Sequence, residues 1–74
     1  MITLYSSNCI ECRTIKNVLD ICNIKYDLIT DEKIYLPIAE ENGINFMPFA
    51  KIDDVIYNAR QIKQWIAERK INEQ

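Results

Sequence analysis

The chain contains no histidine, a single glycine and only three cysteines among its 74 residues. Without histidine, a cysteine-based zinc site is short of ligands, because zinc takes about four and only one cysteine remains to add to a pair. The cysteine count is low and odd, whereas a secreted disulfide scaffold carries an even and denser set. The first apolar stretch, Met1-Ile2-Thr3-Leu4-Tyr5, is short, mixed with polar residues and preceded by no basic segment, so no signal peptide is expected. No apolar run approaches the roughly 20 residues of a bilayer span. Charges of both signs are interspersed with a net value of −2, which argues against a nucleic-acid partner. The expectation is a cytoplasmic single domain over residues 1–74, monomeric, with one modest core and no membrane attachment.

Against that plain background stands Cys9-Ile10-Glu11-Cys12, placed directly after the first apolar run and at the start of a helical pattern. The first thiol sits where free helix N–H groups and the helix dipole stabilise a thiolate. The second lies one turn on, near enough to close a disulfide that can be opened again. This is the spacing of a dithiol redox site. The alternatives are a structural disulfide, half of a zinc site, or a zinc or iron–sulfur site shared across a dimer.

The remaining pattern alternates short elements. Ile2, Leu4 and Tyr5 suit a buried first strand, with Ser6-Ser7-Asn8 as the loop that leaves it. Cys12, Ile15, Leu19 and Cys22 recur at steps of three and four, which predicts a first helix from about Cys9 to Cys22. Ile24, Tyr26 and Leu28 alternate with Lys25 and Asp27, which predicts a second strand. Thr30-Asp31-Glu32 starts a second helical region, but Pro37 lies inside it. The expectation is a broken helix or one that begins only at Pro37, ending at Gly43. Ala50-Lys51-Ile52 and Val55-Ile56-Tyr57 form a hairpin across Asp53-Asp54, a turn without the customary glycine. Asn58, with Gln61 three residues on, caps a last helix whose apolar stripe is Ile62, Trp65 and Ile66 and which frays after Lys70.

Three features together resemble the glutaredoxin-like members of the thioredoxin-fold superfamily over nearly the whole chain. They are Cys9-Ile10-Glu11-Cys12 after the first strand, Met47-Pro48 before a hairpin, and a short final helix. The resemblance implies an α/β fold, βαβ-α-ββα, with a four-stranded mixed sheet and flanking helices. It also implies that Pro48 is cis and lies beside the cysteine pair.

The implied activity is that of a dithiol–disulfide oxidoreductase, an electron carrier with no bound cofactor or metal. Cys9, partly exposed at the helix start, is the expected nucleophile. Cys12, on the face of Ile15 and Leu19, is the expected resolving thiol, shielded and of higher pKa. Met47 and Pro48 are expected to offer backbone to an extended substrate, with Tyr5, Ile10 and Glu11 at the edge of the site. Tyr5 has a second reading as filler of the sheet face, and Glu11 as an ordinary first-turn acid. If its charge does oppose a thiolate, Arg13 and Lys16 are the nearest cations in sequence. Cys22 reads as a small buried hydrophobe, with a regulatory disulfide as the alternative.

The departures from the family pattern point to one branch of it. Glutathione-using members resemble one another in a Gly-Gly pair and an acidic residue after strand four, where this chain has Tyr57-Asn58-Ala59-Arg60-Gln61. No cation stands in Ser6-Ser7-Asn8 either. The resemblance then favours small glutaredoxin-like proteins recharged by a flavin-dependent thioredoxin reductase and NADPH, some of which donate electrons to ribonucleotide reductase. The alternatives are a glutathione-dependent glutaredoxin with an altered site and a non-enzymatic metal or partner-binding module.

Overall fold

The computed structural model describes residues 1–72. The elements are β1 (Ile2–Tyr5), α1 (Ile10–Ile21), β2 (Asp27–Ile29), α2 (Glu32–Glu41), β3 (Phe49–Ile52), β4 (Val55–Tyr57) and α3 (Ala59–Asn72). The sheet order is β2-β1-β3-β4, with β1 parallel to β2, and with β1–β3 and β3–β4 antiparallel. This is the expected βαβ-α-ββα arrangement.

The period of two along a strand divides the apolar residues between the two sheet faces. Ile2, Leu4, Ala50 and Ile52 join Ile15 and Leu19 of α1 and Ile62 and Ile66 of α3 in the larger core cluster. Tyr5 and Phe49 turn to the other face and pack with Tyr35 and Ala39 of α2. Tyr5 and Phe49 are also register partners, and their rings stack with centroids 4.6 Å apart. That cross-strand aromatic pair fixes the end of β1 to the start of β3.

The helix ends follow from local chemistry. After α1, Asn23 takes φ 60°, and the Ile24 N–H returns to the Leu19 carbonyl at 3.0 Å. After α2, Gly43 takes φ 67°, and the Ile44 N–H returns to the Ala39 carbonyl at 2.8 Å. Both are left-handed C-terminal motifs that satisfy carbonyls left over by the last turn. At α3, the Gln61 N–H donates to Asn58 Oδ1 at 2.8 Å and the Asn58 N–H donates to Gln61 Oε1 at 2.9 Å, the reciprocal box expected from the sequence. The hairpin turns on Asp53 and Asp54, both at positive φ (50° and 68°), as a two-residue connection of this hand requires. Aspartate tolerates that region because its short polar side chain hydrogen-bonds locally.

Three expectations need correction. Strand two is shorter and later than its alternation suggests: Ile24 and Tyr26 pack against the larger cluster from the loop, and Leu28 is 44% exposed at the sheet edge. The last helix continues to Asn72, beyond the expected end at Lys70. Most clearly, α2 neither breaks at Pro37 nor waits for it. It starts at Glu32 under an Asp31 cap, whose side chain accepts the Lys33 N–H at 3.0 Å, and runs through Pro37 to Glu41. Proline removes one helical hydrogen bond, leaving the Lys33 carbonyl without its i+4 donor, but both residues lie on the exposed face where water replaces the donor. The buried side of the helix, Tyr35 and Ala39, holds it against the sheet.

Pro37→Ala should therefore restore a helical donor without touching the core. A gain of about 1–3 kcal/mol in stability is expected from urea denaturation.

Candidate active site

The site is built where the C-terminal end of β1 meets the loop before β3. Cys9 is the N-cap of α1, in extended conformation at φ −79° and ψ 172°, and its sulfur accepts the Cys12 N–H at 3.1 Å. One of the orphan donors of the helix start therefore points at Cys9. On its other side the Cys9 thiol faces the Met47 carbonyl at 3.7 Å. The Met47-Pro48 bond is cis, and Pro48 is buried. The expected neighbours Cys9, Cys12, Met47 and Pro48 are thus brought together.

The two sulfurs have different surroundings. Cys9 is partly exposed, whereas Cys12 is only 1% exposed. The Ser7 N–H lies 3.4 Å from the Cys12 sulfur and the Ser7 hydroxyl lies 3.7 Å from it. Burial pushes the Cys12 pKa up, but hydrogen bonds from the Cys9 thiol, the Ser6 hydroxyl and the Ser7 and Cys9 backbone outweigh it and bring it from 9.0 to about 7. This corrects the expectation of a raised Cys12 pKa, which counted burial and not the donors around it. Shielding is what separates the two thiols: Cys9 is partly exposed and Cys12 is buried.

The remaining expected site residues divide. Ile10, 84% exposed, stands beside Cys9 at the surface. Glu11 pairs with Lys63 of α3, a residue far away in sequence. The nearer cations are engaged elsewhere, Lys16 with Asp20 at 3.7 Å and Arg13 with the Asn8 side chain at 3.4 Å. Tyr5 is 5% exposed and stacked on Phe49, so its ring fills the sheet face and does not line the site edge. Cys22 is the C-cap of α1 and packs against the larger cluster, but it is only partly buried, short of the burial expected for it.

Several site residues were not singled out from the sequence. The sequence pattern assigns Ser6 and Ser7 only to a loop, although two hydroxyls one residue before a Cys-x-x-Cys are a signal in themselves. Tyr35, 3% exposed, has its hydroxyl pKa raised by burial and then by Glu32, Cys12 and Cys9, so it stays neutral beside the dithiol. A groove of about 660 Å³ opens beside the site, between Glu11, Phe46, Met47, Arg60 and Lys63. Phe46 on its rim is 80% exposed. Among the described residues, no group of three or more histidine, cysteine or acidic side chains is placed to hold a metal ion, and no helix is long and apolar enough to cross a membrane.

An α/β sheet of order β2-β1-β3-β4, a dithiol at the start of α1 and a cis-proline before β3 together define the glutaredoxin-like form of the thioredoxin fold. Comparison with solved structures agrees. The glutaredoxin-like protein NrdH-redoxin from Escherichia coli, described as having a thioredoxin-like activity profile, superposes with a TM-score of 0.61 at 17% sequence identity, covering 85% of this chain and 91% of that one. No protein-family model and no curated protein matches the sequence. At that identity the likeness establishes the fold.

Cys12 also makes stability depend on pH. Its folded pKa of about 7 lies below the value of 9.0 for a free thiol, so between these limits the unfolded chain binds more protons than the folded one. The reduced protein should gain stability as pH rises from about 7 to about 9, and lose that contribution as pH falls through 7. Thermal melts across this range should show the slope in the parent and a flatter one in Cys12→Ser.

Proposed function

We propose that the protein is a dithiol–disulfide oxidoreductase that reduces protein disulfides through Cys9 and Cys12. The observation that carries this reading is the division of the pair into an accessible sulfur at a helix N-cap and a buried sulfur one turn inside. A disulfide with a purely structural role has no use for that division, and a metal site needs ligands the neighbourhood does not supply.

Cys9, as thiolate, attacks one sulfur of the substrate disulfide. A bond forms between Cys9 and that sulfur, the substrate S–S bond breaks, and the leaving thiolate takes a proton from water. Cys12 then attacks the Cys9 sulfur, closing the Cys9–Cys12 disulfide and releasing the second substrate thiol. Two electrons pass to the substrate, and the dithiol must be restored by an external donor. Ile10, next to Cys9 in the chain, and Phe46, on the rim of the groove beside Met47, offer exposed apolar contact, and the Met47 backbone offers hydrogen bonds to an extended segment. Ribonucleotide reductase is one acceptor suggested by the resemblance of the chain to small glutaredoxin-like electron donors.

A thioredoxin reductase supplied with NADPH is the proposed donor, in a cytoplasmic setting. The stretch after β4 has no glycine pair through which glutathione's backbone contacts would be made, and Ser6-Ser7-Asn8 carries no cation. One observation favours the glutathione reading: α3 brings Arg60 and Lys63 to the groove beside Met47.

Parallel coupled assays decide between them. Thioredoxin reductase with NADPH should reduce the Cys9–Cys12 disulfide well, whereas glutathione with glutathione reductase should do so poorly. Loss of two charge-assisted anchors, each worth about 1.5–3 kcal/mol, corresponds to about two orders of magnitude or more in affinity. Efficient turnover at millimolar glutathione would reverse the assignment of donor. Limiting iodoacetamide should label Cys9 ahead of Cys12 and Cys22, and Cys12→Ser should trap mixed disulfides on Cys9. Labelling led by Cys12 would overturn the roles of the two sulfurs.

A further inference from the structure

Ser6 is the single buried polar side chain among the described residues, 6% exposed. A hydroxyl in a core is costly unless it is hydrogen-bonded. The Ser6 oxygen accepts the Asn8 N–H at 3.3 Å, which leaves its own hydrogen for another acceptor, and the hydroxyl is among the groups that lower the Cys12 pKa. Ser7 adds its N–H at 3.4 Å and its hydroxyl at 3.7 Å to the same sulfur. The Cys12 N–H, by contrast, goes to Cys9. The donors at this strand-to-helix junction are therefore divided, the helix serving Cys9 and the serine loop serving Cys12.

We propose that Ser6 and Ser7 are positioning residues for Cys12, forming a cradle that holds its sulfur as a thiolate for the resolving step. The proposal rests on the roles of Cys9 and Cys12 given above. In the free dithiol, the Cys9 S–H, which also faces the Met47 carbonyl at 3.7 Å, is a further donor that helps to lower the Cys12 pKa. Once Cys9 is joined to substrate, its sulfur carries no hydrogen and that donor is gone. The serine hydroxyls and the backbone N–H groups are then what keeps a buried sulfur ionised. In the step they serve, the Cys12 electron pair forms the Cys9–Cys12 bond, the bond from Cys9 to the substrate sulfur breaks, and that sulfur departs as a thiolate and is protonated by water.

Two measurements test the cradle. The first follows the Cys12 carbon resonance against pH in cysteine-labelled protein carrying Cys9→Ala, which removes the Cys9 donor. Ser6→Ala should raise the Cys12 midpoint by about one pH unit, as loss of one charge-assisted hydrogen bond implies. Ser7→Ala should raise it in the same direction, and Ser6→Thr should restore it. The second is stopped-flow reaction of the Cys9-containing protein with a chromogenic aromatic disulfide. The concentration-independent release that follows attack on Cys9 reports the resolving step.

In Ser6→Ala that release should slow about threefold at about pH 6, because a tenfold loss of thiolate is partly offset by greater nucleophilicity. At about pH 9 and above it should match or exceed the parent rate, a crossing that mere loosening of the loop would not produce. An unchanged Cys12 midpoint in Ser6→Ala and Ser7→Ala overturns the proposal, as does a rate lowered equally at every pH. Ser7 is at an exposed position, so its variant carries the test if Ser6→Ala does not fold. The resonance midpoint is independent of turnover. A shifted midpoint in a chain whose Cys9 is not the first attacker would uphold the cradle while refuting the catalytic roles.

Discussion

The pairing of β1 with β3 is the constraint on which the site depends. Tyr5 is the last residue of β1 and Phe49 the first of β3, and they face each other in register with their rings stacked. The residue after Tyr5 begins the serine loop, and the residue before Phe49 is Pro48. Fixing those two strand ends therefore places two loops side by side, one carrying the cysteines and the other carrying the cis-proline. A slip of one residue would turn Leu4 and Ala50 out of the larger core and move Phe49 off α2. The register that satisfies both core faces is thus the same one that brings the Met47 carbonyl to Cys9.

From that placement the asymmetry of the dithiol follows with little further device. A helix that begins at Ile10 makes Cys9 its cap, and a cap residue lies outside the first turn with its side chain free. Three residues on, the helix has turned its inner face to the sheet, and Cys12 falls on the stripe of Ile15 and Leu19. Spacing alone makes one sulfur accessible and the other shielded. What spacing does not give is a reactive second sulfur, since burial by itself would keep Cys12 protonated. The Cys9 side chain and then the serine loop supply the donors, and the Cys12 pKa comes down to about 7.

Much of this was legible in the sequence because it is local. The Cys-x-x-Cys at a strand-to-helix junction, the stripe of the first helix, the Asn58 and Gln61 box and the hairpin around Asp53-Asp54 each depend on residues a few positions apart. Pro37 was misread because a proline penalty is a local preference, and burial of Tyr35 and Ala39 overrides it. Tyr26 and Leu28 alternate as a strand should, but whether an alternating segment pairs is decided by the neighbouring strand, and β1 offers partners only to Asp27, Leu28 and Ile29. The Glu11–Lys63 pair was out of reach for the same reason. Sequence distance pointed to Arg13 and Lys16, whereas the packing of α3 beside α1 determines which cation arrives.

That ion pair shows how the last helix serves two ends at once. Ile62 and Ile66 hold α3 in the larger core, and Lys63, one residue from Ile62, is thereby carried to the mouth of the groove. Both partners are substantially solvated, with side-chain exposures of 54% and 41%, so the pair adds little to stability. Its effect is on charge. An unpaired carboxylate two residues from Cys9 would oppose the stabilisation a thiolate receives from the helix start. With Lys63 against Glu11, the two side-chain charges at the helix start sum to near zero. A residue type that looks unfavourable between two redox cysteines is tolerable because a different helix, fixed by its own core contacts, answers it.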